Sequence, residues 1–178
     1  MNALVILLFA LLDTETFLIN KNEPDIEIKF QTAKFVPKNH TIGKISEDHP
    51  MFDEIGPSFV IDGRVALGTS LHTMPQRFIR SFSVTIGGVE HFVDSDLYSD
   101  CFNPNFDQES FSIVLTEDKS TFLIFMDAGG DTTGYHIMWM IKALPDQIEA
   151  KRFLSLAYEL SPFNFDALPI PIKKKGEH

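Results

Sequence analysis

The chain has 178 residues, of which 44% are hydrophobic and 22% are charged. This balance excludes an intrinsically disordered protein, and the length is typical of one domain. The formal net charge of −10 argues against DNA or RNA as a ligand, because phosphate binding depends on clustered Lys and Arg. Two explanations of the acidity stay open: solubility alone, or an acidic face that attracts a basic partner protein. The single cysteine, Cys101, excludes an intramolecular disulfide and suits a reducing compartment, so we expect a cytoplasmic protein.

Residues 3–12 form an apolar run, ALVILLFALL. A transmembrane helix needs about 20 such residues, so this run is too short to span a membrane. Its length matches the apolar region of a signal peptide, but it lacks a preceding Lys or Arg and a following small-x-small cleavage site. Two alternatives stay open: a helix or strand buried in the core, or a targeting or membrane-associated segment. The second alternative would place the protein in the periplasm or at a membrane.

Several patterns in the first half of the chain predict antiparallel strands. Between residues 25 and 35, apolar and polar residues alternate, which is typical of a half-exposed strand. Asp62-Gly63 and Gly87-Gly88 each separate two apolar runs, and two-residue turns of this kind predict β-hairpins. Residues 38–57 are predicted as irregular loop with one helical turn, and a short helix is predicted at Pro75 to Ile79.

The stretch from Thr121 to Lys142 predicts the centre of the sheet. Two apolar runs, 121–126 and 135–141, are joined by a polar loop, 127–134. In the second run one face would carry Tyr135, Ile137, Trp139 and Ile141, and the other His136, Met138, Met140 and Lys142. Because both faces are apolar in the middle, we expect a central strand that is covered on both sides.

Residues 146–160 have the pattern of an amphipathic helix. Asp146 and Glu149 stand in capping-box positions, and apolar residues recur at i, i+3 and i+4 spacing. These apolar residues are Ala150, Phe153, Leu154, Ala157 and Leu160. The sequence therefore predicts an α+β fold, in which this C-terminal helix packs on a mainly antiparallel meander sheet of about six to eight strands. Residues 1–172 would form a single domain, and 173–178 a loose basic tail.

No pattern in the chain matches a catalytic or metal-binding motif. The residues after the second hairpin turn that offer metal ligands are Glu90, His91, Asp94 and Asp96, but neighbours in a strand face opposite sides. The 127–134 loop lacks the alternating acidic groups of a calcium loop and the Gly-Lys-Ser/Thr of a phosphate loop. Cys101 lacks the local signature of a nucleophile. The sequence therefore predicts no catalytic residue, metal or cofactor.

A strand-loop-strand pattern resembles a known family. It runs from Phe125-Met-Asp127 through the glycine-containing loop to Gly134-Tyr135-His-Ile137-Met-Trp139-Met-Ile141. This pattern is similar to that of small bacterial immunity proteins of polymorphic-toxin and contact-dependent or secretion-delivered toxin systems. The resemblance implies a small α+β fold without catalysis, and tight binding to a cognate toxin, often by an acidic surface against a basic one.

The first functional hypothesis is therefore a non-catalytic protein-binding module of the immunity or antitoxin type, which neutralises a basic toxin by direct binding. Its predicted contact residues are Asp127, Asp131, Thr132, Asp94, Asp96 and Asp100. One alternative is a metal-dependent or His/Asp hydrolase that uses His91, Asp94, Asp127 or Asp131. Another is an envelope-associated structural protein that is anchored by residues 3–12. The sequence leaves the oligomeric state open.

Overall fold

A computed structural model describes residues 13–19, 26–107, 110–116, 120–128, 134–144, 146–155 and 173–174. Within these residues the chain consists mostly of antiparallel β-strands. The strands are β1 (Asp13–Ile19), β2 (Ile26–Lys34), β3 (Ile42–Lys44), β4 (Phe59–Ile61), β5 (Arg64–Val65), β6 (Arg77–Ile86), β7 (Val89–Phe92), β8 (Phe111–Leu115), β9 (Thr121–Ala128), β10 (Tyr135–Ala143), β11 (Ile148–Ser155) and β12 (Lys173–Lys174). The helical elements are α1 (Phe52–Ile55) and two 3-10 turns, Pro37–Asn39 and Ser95–Leu97.

These strands form three sheets. The strand order is β12-β1-β2-β6-β7 in the five-stranded sheet, β11-β10-β9-β8 in the four-stranded sheet and β3-β4-β5 in the three-stranded sheet. The five-stranded and four-stranded sheets share one hydrophobic core, so together they make a two-layer sandwich. The three-stranded sheet contributes to a second, smaller apolar cluster around Phe35, Phe59 and Phe102.

Both predicted hairpin turns are confirmed. Asp62 and Gly63 join β4 to β5 with φ angles of 51° and 81°, and Gly87 and Gly88 join β6 to β7 with φ angles of 56° and 84°. Glycine adopts such positive φ without a steric cost and aspartate tolerates it, which is why these positions can reverse the chain in two residues. The short helix predicted at residues 75–79 is wrong. Strand β6 begins at Arg77 and pairs along its length with β2.

Aromatic side chains fill the space between the two large sheets. Phe30 of β2 stacks on Phe82 of β6 with ring centroids 4.2 Å apart. The indole of Trp139 on β10 lies 5.7 Å from the Phe30 ring and 5.5 Å from the Phe82 ring. Trp139 is fully buried, and β10 lies between β9 and β11. The prediction that Tyr135 to Ile141 forms a central strand is therefore confirmed.

The outer face of the four-stranded sheet is also apolar. Val114, Leu123 and Met138 are buried there in a cluster of their own, separate from the main core. On the outer face of the five-stranded sheet, β2 and β6 carry polar residues instead, with Lys29 of β2 opposite Ser83 of β6 in the register. Because Met138 is buried on the outer face of the four-stranded sheet, the structure agrees with the prediction that β10 is covered on both faces.

The predicted C-terminal helix, and with it the α+β fold class, is wrong. Residues 148–155 form strand β11, which pairs with β10 from Ala143↔Ile148 to His136↔Ser155. The rest of the predicted helix, 156–160, lies outside the described residues. Pairing with β11 satisfies the backbone N–H and C=O groups on that edge of β10, which outweighs a modest helical preference. In the part of the chain that the structure describes, the longest helix is the four-residue α1.

The ends of the chain are described only in part. Strand β12 pairs Lys174 with Phe17 and Lys173 with Leu18 of β1, at the start of the segment predicted as a loose tail. The apolar run at residues 3–12 lies outside the described residues. The assignment of residues 1–172 to a single domain stays a prediction. Among the described residues, the helices are too short to cross a membrane.

Candidate functional site

The end of the β9–β10 hairpin holds an acid-imidazole pair. Asp127 lies opposite His136 in the register, so both side chains stand on the outer face of the sheet. The Nδ1 atom of His136 lies 2.6 Å from Oδ1 of Asp127, while 56% of the Asp127 side chain stays exposed. The carboxylate is thus held in place and still faces solvent. Asp131 and Thr132, which follow in the loop, lie outside the described residues.

Two further acidic residues, Asp94 and Asp96, lie at the 3-10 turn Ser95–Leu97. The carboxylate of Asp94 accepts a hydrogen bond from the backbone N–H of Asp96 at 2.9 Å, which fixes the start of the turn. The carboxylate of Asp96 pairs with the guanidinium of Arg64, and 69% of the Asp96 side chain is exposed. Arg64 also donates to the Asp96 carbonyl oxygen at 3.3 Å. These two aspartates therefore lie on the surface.

Asp100 lies inside the fold, at the edge of the sandwich next to β11. Its carboxylate pairs with the guanidinium of Arg152, and the two side chains are 12% and 21% exposed. Its carbonyl oxygen accepts from the N–H of Leu67 at 2.9 Å. Nearby, Leu97 accepts a hydrogen bond from Nε1 of Trp139 at 2.8 Å. The segment after the 3-10 turn is thus tied to the four-stranded sheet, and the Asp100 carboxylate is engaged within the protein.

Cys101 and Tyr135 complete this buried cluster. The thiol of Cys101 lies 3.7 Å from Oδ1 of Asp100, and the hydroxyl of Tyr135 donates to the carbonyl oxygen of Phe102 at 3.1 Å. Burial raises the pKa of the Cys101 thiol well above its usual value, and the neighbouring Asp100 raises it further. Burial also raises the pKa of Tyr135. A protonated, fully buried thiol is a poor nucleophile, so the cluster has a structural character.

The predicted site residues that the structure describes have different partners. Asp127 pairs with His136, Asp96 with Arg64 and Asp100 with Arg152. Among the residues described, three or more His, Cys, Asp and Glu side chains do not converge in an arrangement that could hold a metal ion. His91 lies on β7, opposite Val84 of β6.

Sequence reasoning missed the basic partners of these carboxylates. The alternation along β10 predicts His136 on the face opposite Trp139, and a register for the β9–β10 hairpin would have placed it opposite Asp127. The contact between Arg64 and Asp96 joins residues 32 positions apart, and that between Asp100 and Arg152 joins residues 52 apart. No local pattern signals such distant pairs.

Comparison of the chain with protein-family models, with curated proteins and with solved structures gave no match.

Proposed function

We propose that this chain is a non-catalytic protein-binding module that binds a basic protein partner through exposed carboxylates. The partner would be a toxin or effector that the module neutralises by direct binding, as the resemblance to immunity proteins implies. The net charge of −10 supports this proposal, because it steers a basic partner towards the surface and raises the association rate.

The observation that carries the proposal is the state of Asp127 and Asp96. Each carboxylate is held by a neighbouring basic side chain, yet more than half of each side chain is exposed. A carboxylate that is already fixed loses little side-chain entropy when it meets a Lys or Arg of a partner. Asp131 and Thr132 follow Asp127 in sequence and belong to the same proposed contact region. Asp100 contributes through the fold, because its carboxylate is paired with Arg152.

The test is binding to the product of the neighbouring gene. The two proteins are co-purified, and their association is followed by surface plasmon resonance at several salt concentrations. We expect a stoichiometric complex whose association slows as salt rises. Asp127→Asn and Asp96→Asn should each slow association and speed dissociation several-fold, because each removes both a steering charge and a contact with the partner. Asp53→Asn, which removes the same charge from an exposed position on α1, is the matched control. Absence of a stoichiometric complex would overturn the proposal.

A second candidate function, a His/Asp hydrolase, is favoured by one observation. The 2.6 Å contact between His136 and Asp127 is the arrangement in which a carboxylate orients an imidazole as a general base. If Nδ1 carries the proton, Nε2 can accept one from a substrate or a water. His136→Gln and Asp127→Asn should then abolish hydrolysis of an ester or phosphoester panel and leave the melting temperature unchanged. A wild-type protein inactive on the panel would exclude this candidate for those substrates.

A further inference from the structure

Strand β11 forms an edge of the four-stranded sheet. Its eight residues pair with β10 on one side, and among the described residues no strand pairs with the other side. An edge strand of this length presents backbone donors and acceptors to another chain. The charged residues of β11 and its register with β10 indicate what kind of strand could pair with this open edge.

The hairpin register identifies the backbone groups on the open edge. The N–H of Leu144 donates to the carbonyl oxygen of Gln147 at 2.9 Å, so this pair is hydrogen-bonded across the hairpin. Hydrogen-bonded pairs alternate with non-bonded pairs along an antiparallel ladder. The residues whose N–H and C=O groups point towards β10 are therefore Glu149, Lys151 and Phe153. Those whose groups point away from the sheet are Ile148, Ala150, Arg152 and Leu154.

The side chains on this strand are complementary to a second copy of the same strand. Glu149 and Lys151 are both exposed and flank Ala150. If two β11 strands pair antiparallel about a two-fold axis at Ala150, Glu149 lies directly opposite the partner's Lys151. The symmetry repeats this contact, so two opposite-charge pairs form on one face of the joined sheet. Opposite charges at such positions stabilise a sheet.

We propose that two copies of this chain associate through antiparallel pairing of their β11 edges, with Ala150 on the two-fold axis. The backbone groups of Ala150 bond to those of the partner's Ala150, and those of Ile148 bond to those of the partner's Arg152. The two four-stranded sheets then form one continuous sheet across the dimer. Neither Asp127 nor Asp96 belongs to β11, and the proposal does not depend on the proposed function.

The charges of Glu149 and Lys151 also favour this register of the two β11 strands over neighbouring registers. A shift of two residues in one direction places Lys151 opposite the partner's Lys151, and a shift in the other direction places Glu149 opposite the partner's Glu149. Like charges directly opposite each other are destabilising. A lysine on an edge strand also discourages unrelated strands from pairing there. Because edge pairing alone buries little surface, we expect a weak dimer whose population depends on protein concentration.

The test is sedimentation equilibrium of the full chain over a range of concentrations. The wild type should approach the dimer mass as concentration rises. Glu149→Lys and Lys151→Glu each place like charges opposite each other, so each should weaken the dimer about tenfold or more. An equimolar mixture of the two variants restores both opposite-charge pairs and should form a dimer with one copy of each, which native mass spectrometry of isotope-labelled chains identifies. The double variant E149K/K151E should dimerise like the wild type.

Two controls separate this interface from the fold. Glu149 lies opposite Lys142 within its own chain, whereas Lys151 lies opposite Met140, so Lys151→Glu is the cleaner charge variant. Ala150→Pro removes an N–H that points away from β10, so it should keep the circular dichroism spectrum and abolish the dimer. A wild type that stays monomeric at every concentration would overturn the proposal. So would a dimer that all of these substitutions leave unchanged, or single-variant mixtures that do not associate.

Discussion

Removing the Arg152 guanidinium should destabilise the fold far more than losing an ordinary surface ion pair. In Arg152→Met the Asp100 carboxylate would stay largely buried without its partner, next to the buried Cys101 thiol. An exposed pair contributes about 0–1 kcal/mol, and breaking a fully buried one costs about 3–5 kcal/mol. Because the two side chains keep 12% and 21% of their exposure, we expect a loss of about 2–4 kcal/mol in the free energy of unfolding.

A double-mutant cycle measures this interaction. Asp100→Asn alone should also cost about 2–3 kcal/mol, whereas D100N/R152M leaves no uncompensated charge and should cost about 1–2 kcal/mol in total. Urea unfolding, followed by circular dichroism at low protein concentration, gives the free energy of each variant. If the stability lost in the double variant equals the sum of the two single losses, Asp100 and Arg152 do not stabilise each other. The pair then does not hold the segment after the 3-10 turn to β11, and the prediction is wrong.

Three further predictions concern single side chains. Trp139→Phe removes the 2.8 Å hydrogen bond to Leu97 and should cost about 1–3 kcal/mol in urea unfolding, and an unchanged value would mean that the bond contributes nothing. The hydrogen bond from His40 holds the pKa of Asp62 below its usual 3.8. The stabilisation from Asp62 is therefore complete above that pH and is lost as pH falls through the lowered value, so Asp62→Asn should flatten the acid limb of stability against pH. An equally steep limb in the variant would contradict this. Gly88→Ala, at a φ of 84°, should lower the unfolding free energy by about 1 kcal/mol in thermal unfolding, whereas the control Gly43→Ala, at a glycine without positive φ, should not show this backbone strain.

The strands were predictable wherever local signals agreed. The alternation from Tyr135 to Ile141 indicated a strand covered on both faces, and the two glycine-containing turns fixed their hairpins. The helix predicted at residues 146–160 was wrong because Ala150, Phe153 and Leu154 fit a helical stripe as well as they fit β11. Arg152 obscured the strand pattern, since it occupies an inward position where an apolar residue is expected. Its partner, Asp100, lies far away in sequence, so tertiary contacts outweighed the local pattern.

The candidate site was less predictable than the fold. Acidic residues are easy to find in a chain of net charge −10, but their environment depends on contacts across the fold. Asp96 and Asp100 are four positions apart, yet one faces solvent and the other is enclosed. The backbone of the 3-10 turn and the position of Arg152 make that difference, and neither follows from the order of residues between 94 and 102.

Cys101 is placed so that chemical modification of its thiol reports local opening of the structure. Cys101 belongs to the segment after the 3-10 turn, its thiol is fully buried beside Asp100, Tyr135 and Arg152, and it is the sole cysteine of the chain. A thiol-modifying reagent can reach it only when that segment separates from the sheet. The rate of thiol modification therefore measures how often this segment separates from the sheet. Comparing it with the rate of global unfolding would tell whether the segment opens locally or only when the whole protein unfolds.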